Sequence, residues 1–249
     1  MTAPIAPSTS VHSAPATGTK APDTRQIVSF AFYRLDPAWR RLPRKTRGDH
    51  AREFLGVVEP DRTRLMLLSY SLIGLKADVD FMIWRVSEDI EPIQASAAAL
   101  LQTGLGAYLT TPYSYLSMTR RSVYVDKLDP DHPDKRRFIT PAKSKYLFVY
   151  PFVKTHAWYQ LPFTERQAMM DEHIVVGNKY PSVKIHTTYA FGLDDPDFVL
   201  AFETDEPKAF LDLVLELREA KARPYTQIDT PIFTCIAKPL KSIVEDFGG

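Results

Sequence analysis

The residues best equipped for chemistry crowd into one stretch, KYLFVYPFVKTHAWYQLPFTERQAMMDEHIVVGNKY, residues 145–180. Tyr150 and Lys154 stand four apart in YPFVK, and His173 follows two methionines, Met169 and Met170, at helical spacing. A phenol can surrender one electron and one proton. An ammonium can seat a carboxylate through a charge-assisted hydrogen bond. A neutral imidazole is an axial ligand for iron. Each residue also has an ordinary reading. Tyr150 fits the end of an exposed strand, Lys154 a solvated loop, and His173 a packed core position, because aromatic residues favour strands and lysine favours water.

The elements that must position them can be read from pattern. Tyr146–Val149 is a short aromatic and β-branched run ending at Tyr150-Pro151, which predicts a strand. Pro162, Thr164 and Gln167 form a helix-start pattern of the capping-box type. Beyond it Arg166, Met169 or Met170, His173, and Val176 or Gly177 recur at helical spacing, so His173 lies on or beside the apolar stripe.

The bulk numbers set bounds. The 249 residues are 45% hydrophobic and 24% charged, enough for a substantial core in one large domain or two of ordinary size. A net charge of +1 gives no footprint for nucleic acid. Cys235 is the sole cysteine, which excludes an intrachain disulfide and predicts a reducing compartment. No apolar run approaches the roughly 20 residues of a membrane span, and the N-terminus has no secretory pattern. A soluble cytoplasmic protein is expected. Residues 1–25 are rich in Ala, Pro, Ser and Thr and poor in large apolar side chains, which predicts a disordered tail.

From Gln26 onward the chain repeats itself. Trp39, Leu42 and Pro43 match Trp158, Leu161 and Pro162 at an offset of 119; Gly74-Leu75 match Gly192-Leu193, and Asp80-Phe81 match Asp197-Phe198, at offsets one or two shorter. A period this long is domain-sized, so it predicts an internal duplication. Each copy reads as strand, helix, two-strand hairpin, helix, strand: an α+β fold of two ferredoxin-like halves that pair into a dimeric α+β barrel. Residues 26–125 form the first half, 126–142 a charged, proline-rich connector, and 143–249 the second half. At the 119 offset Tyr150 falls opposite Ala31, Lys154 opposite Leu35 and His173 opposite Phe54; a one-residue gap would set Lys154 against Arg34 instead. Without that gap the polar trio belongs to the second copy alone.

The motifs Tyr150-Pro151-x-x-Lys154, Trp158-Tyr159-x-Leu161-Pro162, Met170-x-x-His173 and Gly192-Leu193-Asp194-Asp195 resemble the chlorite dismutase superfamily, and within it the coproheme decarboxylases. The likeness spans about Gln26 to Lys238. It implies an iron porphyrin in the second half, with His173 as axial iron ligand and Trp158, Met170 and Ile185 around the macrocycle. It also implies Tyr150 as radical carrier and Lys154 beside a propionate. Arg136 and Arg137 fall near a propionate-binding arginine of those enzymes. The implied reaction converts iron coproporphyrin III, coproheme, to haem b, with hydrogen peroxide as oxidant. The implied assembly is a ring, a homopentamer.

Two departures matter. The hairpin position that carries an arginine in chlorite dismutases is Ile185, which cannot hold chlorite by charge, and Trp158-Tyr159 replaces a tandem tryptophan. Chlorite dismutation is therefore disfavoured. His186 is adjacent, but strand alternation turns it to the opposite face unless a bulge rotates it inward. Arg223 stands near a position where relatives often carry a propionate-contacting serine. The competing readings are a haem sensor or carrier of the same superfamily, which would need His173 but neither Tyr150 nor Lys154, and a haem-free barrel in which His173 is core.

Overall fold

The computed structural model describes residues 24–58, 65–124 and 138–249, so the tail before Thr24, Arg64, Arg136, Arg137 and much of the predicted connector lie outside the described residues. The first half runs β1 (Ile27–Leu35), α1 (Pro37–Arg40), α2 (Arg44–Val58), β2 (Met66–Ser71), β3 (Phe81–Ser87), α3 (Ile90–Leu101) and β4 (Leu109–Met118). The second runs β5 (Tyr146–Lys154), α4 (His156–Gln160), α5 (Phe163–Asn178), β6 (Lys184–Tyr189), β7 (Phe198–Thr204), α6 (Pro207–Glu219), β8 (Thr226–Ile228) and β9 (Phe233–Ala237), and α7 (Leu240–Asp246) ends the chain.

Within the first half the strands lie in the order β4-β1-β3-β2, and within the second β9-β5-β7-β6, the same antiparallel ferredoxin-like arrangement twice. β4 pairs β6 through Met118 and Tyr189, and β2 pairs β9 through Tyr70–Ala237 and Ser71–Ile236. Eight strands thus form a closed cycle, which leaves no unpaired edge among them. Strand alternation then sorts the side chains. Leu147 and Val149 join Phe30, Phe32 and Trp84 in the cluster enclosed by both halves. Phe148 and Tyr150 turn outward under the second half's helices, as Ala31, Tyr33 and Ile83 do under the first half's.

Hydrogen bonds at matched places fix the alignment of the two copies. Leu35 N donates to Asp80 Oδ2 at 2.8 Å, and Lys154 N donates to Asp197 Oδ2 at 2.7 Å. Asp36 N donates to Tyr108 O at 2.8 Å, and Thr155 N to Tyr225 O at 2.9 Å. Glu53 Oε2 accepts from Gly104 N at 2.7 Å, and Glu172 Oε2 from Lys221 N at 3.0 Å. Gly74 and Gly192 both turn their hairpins at positive φ, 76° and 71°, which glycine tolerates without a Cβ penalty. Lys154 therefore stands opposite Leu35, with no gap, and His173 opposite Phe54.

The halves differ in what covers their outer faces. α7 crosses back onto the first half, where Leu240, Ile243, Val244 and Phe247 pack with Phe54, Ala51 and Phe81. The predicted second half thus donates its final helix to the other half's core.

Candidate functional site

Tyr150 sits mid-strand on β5, paired with Leu200 of β7, with its ring stacked on Phe202 at 5.7 Å. Burial holds its phenol well above the ordinary range; Asp229 pushes the same way, and Arg218 and Arg223 oppose it. Tyr150 is therefore a protonated, neutral phenol at any ordinary pH. Asp229 Oδ2 lies 2.6 Å from both Arg218 Nη1 and Arg223 Nη1. One carboxylate shared by two guanidiniums leaves a net positive corner beside the tyrosine.

Lys154 adds to that corner. A shift of strand register between Val153 and Lys154 ends β5. The ammonium lies 4.2 Å from the Trp158 ring centroid and 5.3 Å from that of Phe152, and it donates to Ala222 O at 3.3 Å. Burial and the Arg223 charge lower its pKa to about 8, against the pull of Asp197. Trp158 is buried, 2% exposed, on α4, whose start Thr155 caps by accepting from Trp158 N.

His173 and Met170 lie on α5, both half-buried. The predicted capping box does not form. The helix starts at Phe163 behind Pro162, whose carbonyl takes the first backbone donors, and Gln167 instead bonds Asp171 at 2.6 Å. The proline fixes the entry that a threonine cap would have supplied. Gly177, at the C-terminal turn of α5, faces Ile185 of β6, whose Cδ1 lies 3.8 Å from where a Cβ would stand, an ordinary contact distance.

Ile185 is half-buried in the same cluster as Tyr150. His186 points the other way, as alternation predicts. Its Nε2 lies 2.8 Å from Glu203 Oε2, and its ring meets Trp84 edge-on at 5.5 Å. A cavity of about 250 Å³ opens between Ile139, Tyr180, Ile185 and His186. Ile185 lines it, whereas Tyr150, Lys154, Trp158 and His173 do not. The arginines Arg136 and Arg137 belong to the residues outside the described ones.

This face suits a flat, apolar macrocycle with carboxylate arms. Phe152, Leu200 and His173 are half-buried where their counterparts Tyr33, Ile83 and Phe54 are sealed at 3%, 0% and 0% exposure. An aromatic and aliphatic wall, an imidazole on α5 and three cations at one edge are the kinds of group that could hold an iron porphyrin. Arg218 and Asp229 were not found from sequence, since their meeting depends on the loop after α6; the repeat gave no signal for either.

Comparison with known proteins decides the family. A chlorite dismutase family profile matches residues 47–238. This chain belongs to the chlorite dismutase family. It is 32% identical over 213 residues to the coproheme decarboxylase of Mycolicibacterium smegmatis, covering 85% of this chain and 89% of that one. It is 29% identical to the coproheme decarboxylase of Staphylococcus carnosus, over 75% of this chain and 81% of the other. A solved chlorite dismutase from Candidatus Nitrospira defluvii, a point mutant, superposes with a TM-score of 0.83 at 27% identity, covering 90% and 95% of the two chains. The mixed α+β fold is that of the family. Among the described residues no helix is long and apolar enough to cross a membrane.

Proposed function

We propose that this chain is a peroxide-dependent coproheme decarboxylase, an oxidoreductase that turns iron coproporphyrin III into haem b. The observation that carries the reading is the buried phenol of Tyr150 beside the cationic corner of Lys154, Arg223 and Arg218, in the half whose counterpart positions hold Ala31 and Leu35. The two relatives bear that activity's name. The reading includes a cytoplasmic location and a homopentamer.

Bound iron porphyrin with peroxide supplies the oxidising equivalents. For each propionate the reaction balances as R–CH₂CH₂–COO⁻ + H₂O₂ + H⁺ → R–CH=CH₂ + CO₂ + 2 H₂O. His173 holds the iron from α5, and the apolar wall keeps water from the reacting arm. Lys154 and Arg223 orient the carboxylate through charge-assisted hydrogen bonds. Tyr150 gives up an electron and its proton, then recovers both as hydrogen leaves the propionate's β-carbon. Its neutral phenol keeps a negative charge from forming beside the arm to be oxidised.

The second reading, a haem sensor or carrier, has one observation in its favour: Ile185 offers no proton acceptor on the site face. Ferric coproporphyrin III is titrated into the apoprotein anaerobically, then treated stepwise with peroxide, and the products are weighed. Successive loss of two carboxyl groups, abolished in Tyr150→Phe with binding kept, is the expected result. Tight binding of haem b with no mass loss from coproheme would leave the carrier reading.

A further inference from the structure

Tyr159 is the exposed neighbour of Trp158, and its surroundings have no part in the scheme above. Its Oη donates to Asp197 Oδ2 at 2.7 Å, the same carboxylate oxygen that accepts from Lys154 N. That second bond anchors the carboxylate to the end of β5, so the acceptor is held in place before any reaction. Burial, followed by the Asp197 bond, pushes the Tyr159 phenol far up, so the proton rests on the tyrosine. Trp158 is buried with an ammonium 4.2 Å over its ring. That contact stabilises the neutral indole, whose face is electron-rich, and would repel a cation formed on it. An oxidising hole that reaches Trp158 is therefore poorly held there, while the next residue has a phenol with a proton acceptor in contact.

We propose that Tyr159 and Asp197 form a second redox-active site, which drains one-electron oxidising equivalents from Trp158 toward the surface. The step is Tyr159–OH + Asp197–COO⁻ + Trp158•⁺ → Tyr159–O• + Asp197–COOH + Trp158. The electron passes from phenol to indole and the proton from Oη to Oδ2. The original one-electron oxidant is the one that the proposed peroxide chemistry generates, and to that extent the inference rests on the proposed function. Tyr159 is 39% exposed and meets Phe191 edge-on at 6.1 Å. A radical there is open to reductants in solution, which suits diversion of equivalents that miss the substrate.

The test needs no porphyrin. The full-length protein is oxidised by flash-photolysed ruthenium tris-bipyridine with a sacrificial electron acceptor, and radicals are followed by transient absorption and electron paramagnetic resonance. In the unaltered chain the tryptophan radical is expected to decay as a tyrosyl signal grows. In Tyr159→Phe, which keeps the ring, the tryptophan radical should last several-fold longer. Asp197→Asn keeps an oxygen for Lys154 N but removes the base, and should slow the same decay. Tyr113 and Tyr180 also donate to carboxylates, Asp78 and Glu216, but neither contacts Trp158. Their phenylalanine variants should leave the decay unchanged. Equal tryptophan-radical lifetimes in the unaltered and Tyr159→Phe chains would overturn the inference. A failure to bind coproheme would instead remove the proposed function and leave this photochemical result standing.

Discussion

The two halves of the molecule have one scaffold and opposite fates for its outer face. Both latch a glutamate to the loop after α3 or α6, place an aspartate under the end of the first strand, and bury a tryptophan on the short helix that follows. In the first half the face is closed: Phe54 and Phe81 are buried, and α7 lies over them. In the second half Phe54 gives way to His173, Ala31 to Tyr150 and Leu35 to Lys154, and the apolar wall is left half-covered. Groups that would be costly in a sealed core are tolerable where a ligand can complete the packing. A duplicated fold thus lets one copy supply rigidity while the other keeps an unfilled face.

The largest expected effect tests the sealed half. Phe247, 6% exposed, packs on Phe81 at 5.9 Å. Phe247→Ala should cost about 3 kcal/mol in urea unfolding, at the low end for a buried phenylalanine because the ring keeps a little exposure. Coproheme affinity should hold. A parallel fall in affinity would show that the halves are not separable in this way. Next comes His173→Phe, which gives the second half the first half's residue. Loss of the axial ligand should weaken iron-porphyrin binding about 100-fold, at least as much as loss of a ligand-orienting partner costs. The Soret band should shift, and the apoprotein should melt no lower.

Much of this contrast was legible because the repeat supplied its own control. Trp39 and Trp158 are buried at matched places and Gly74 and Gly192 share a positive φ, so the copies align by eye, and everything between them inherits a partner. The strand and helix order followed from β-branched runs and helical spacing, but ends moved: the strand expected over Tyr146–Val149 runs on to Lys154. What failed was local or remote in a particular way. The Thr164–Gln167 pattern is a true helix-start signal, but Pro162 had already set the entry and Gln167 found Asp171 four residues on. α7 has an apolar spacing at Leu240, Ile243, Val244 and Phe247, yet no pattern tells which half it will cover. The joins β4–β6 and β2–β9, and the meeting of Arg218, Asp229 and Arg223, depend on closure of the whole strand cycle.

A smaller effect separates binding from folding at Lys154. Lys154→Met removes a charge-assisted contact worth about 1.5 kcal/mol, so coproheme affinity should fall about tenfold. In the unaltered protein, affinity should decline as pH rises through about 8, where the ammonium loses its proton. The sign for stability is the reverse. With a folded pKa of about 8 against an ordinary 10.5, the unfolded chain binds more protons across that window, so this group's contribution to stability rises with pH. Lys154→Met should therefore melt slightly higher than the unaltered apoprotein at pH 7. A lower melting point would mean that the contacts with Trp158 and Ala222 outweigh burial of the charge.

The smallest effect comes from the matched latches. Glu53→Gln and Glu172→Gln each weaken a carboxylate's hold on one backbone N–H, and each should cost about 1 kcal/mol in unfolding. Stability alone cannot tell them apart, because the two bonds have the same construction. Binding can. Glu172 precedes His173 on α5 and ties that helix to the loop after α6, where Arg223 begins its turn. Loosening it should lower coproheme affinity by a few-fold, through the imidazole and the arginine together. Glu53 precedes Phe54, whose ring is locked between strand and α7 whatever the latch does. Its substitution should leave affinity unchanged. Equal losses of affinity in the two variants would place the coupling in the shared strand cycle, and the division of labour between the halves would not hold.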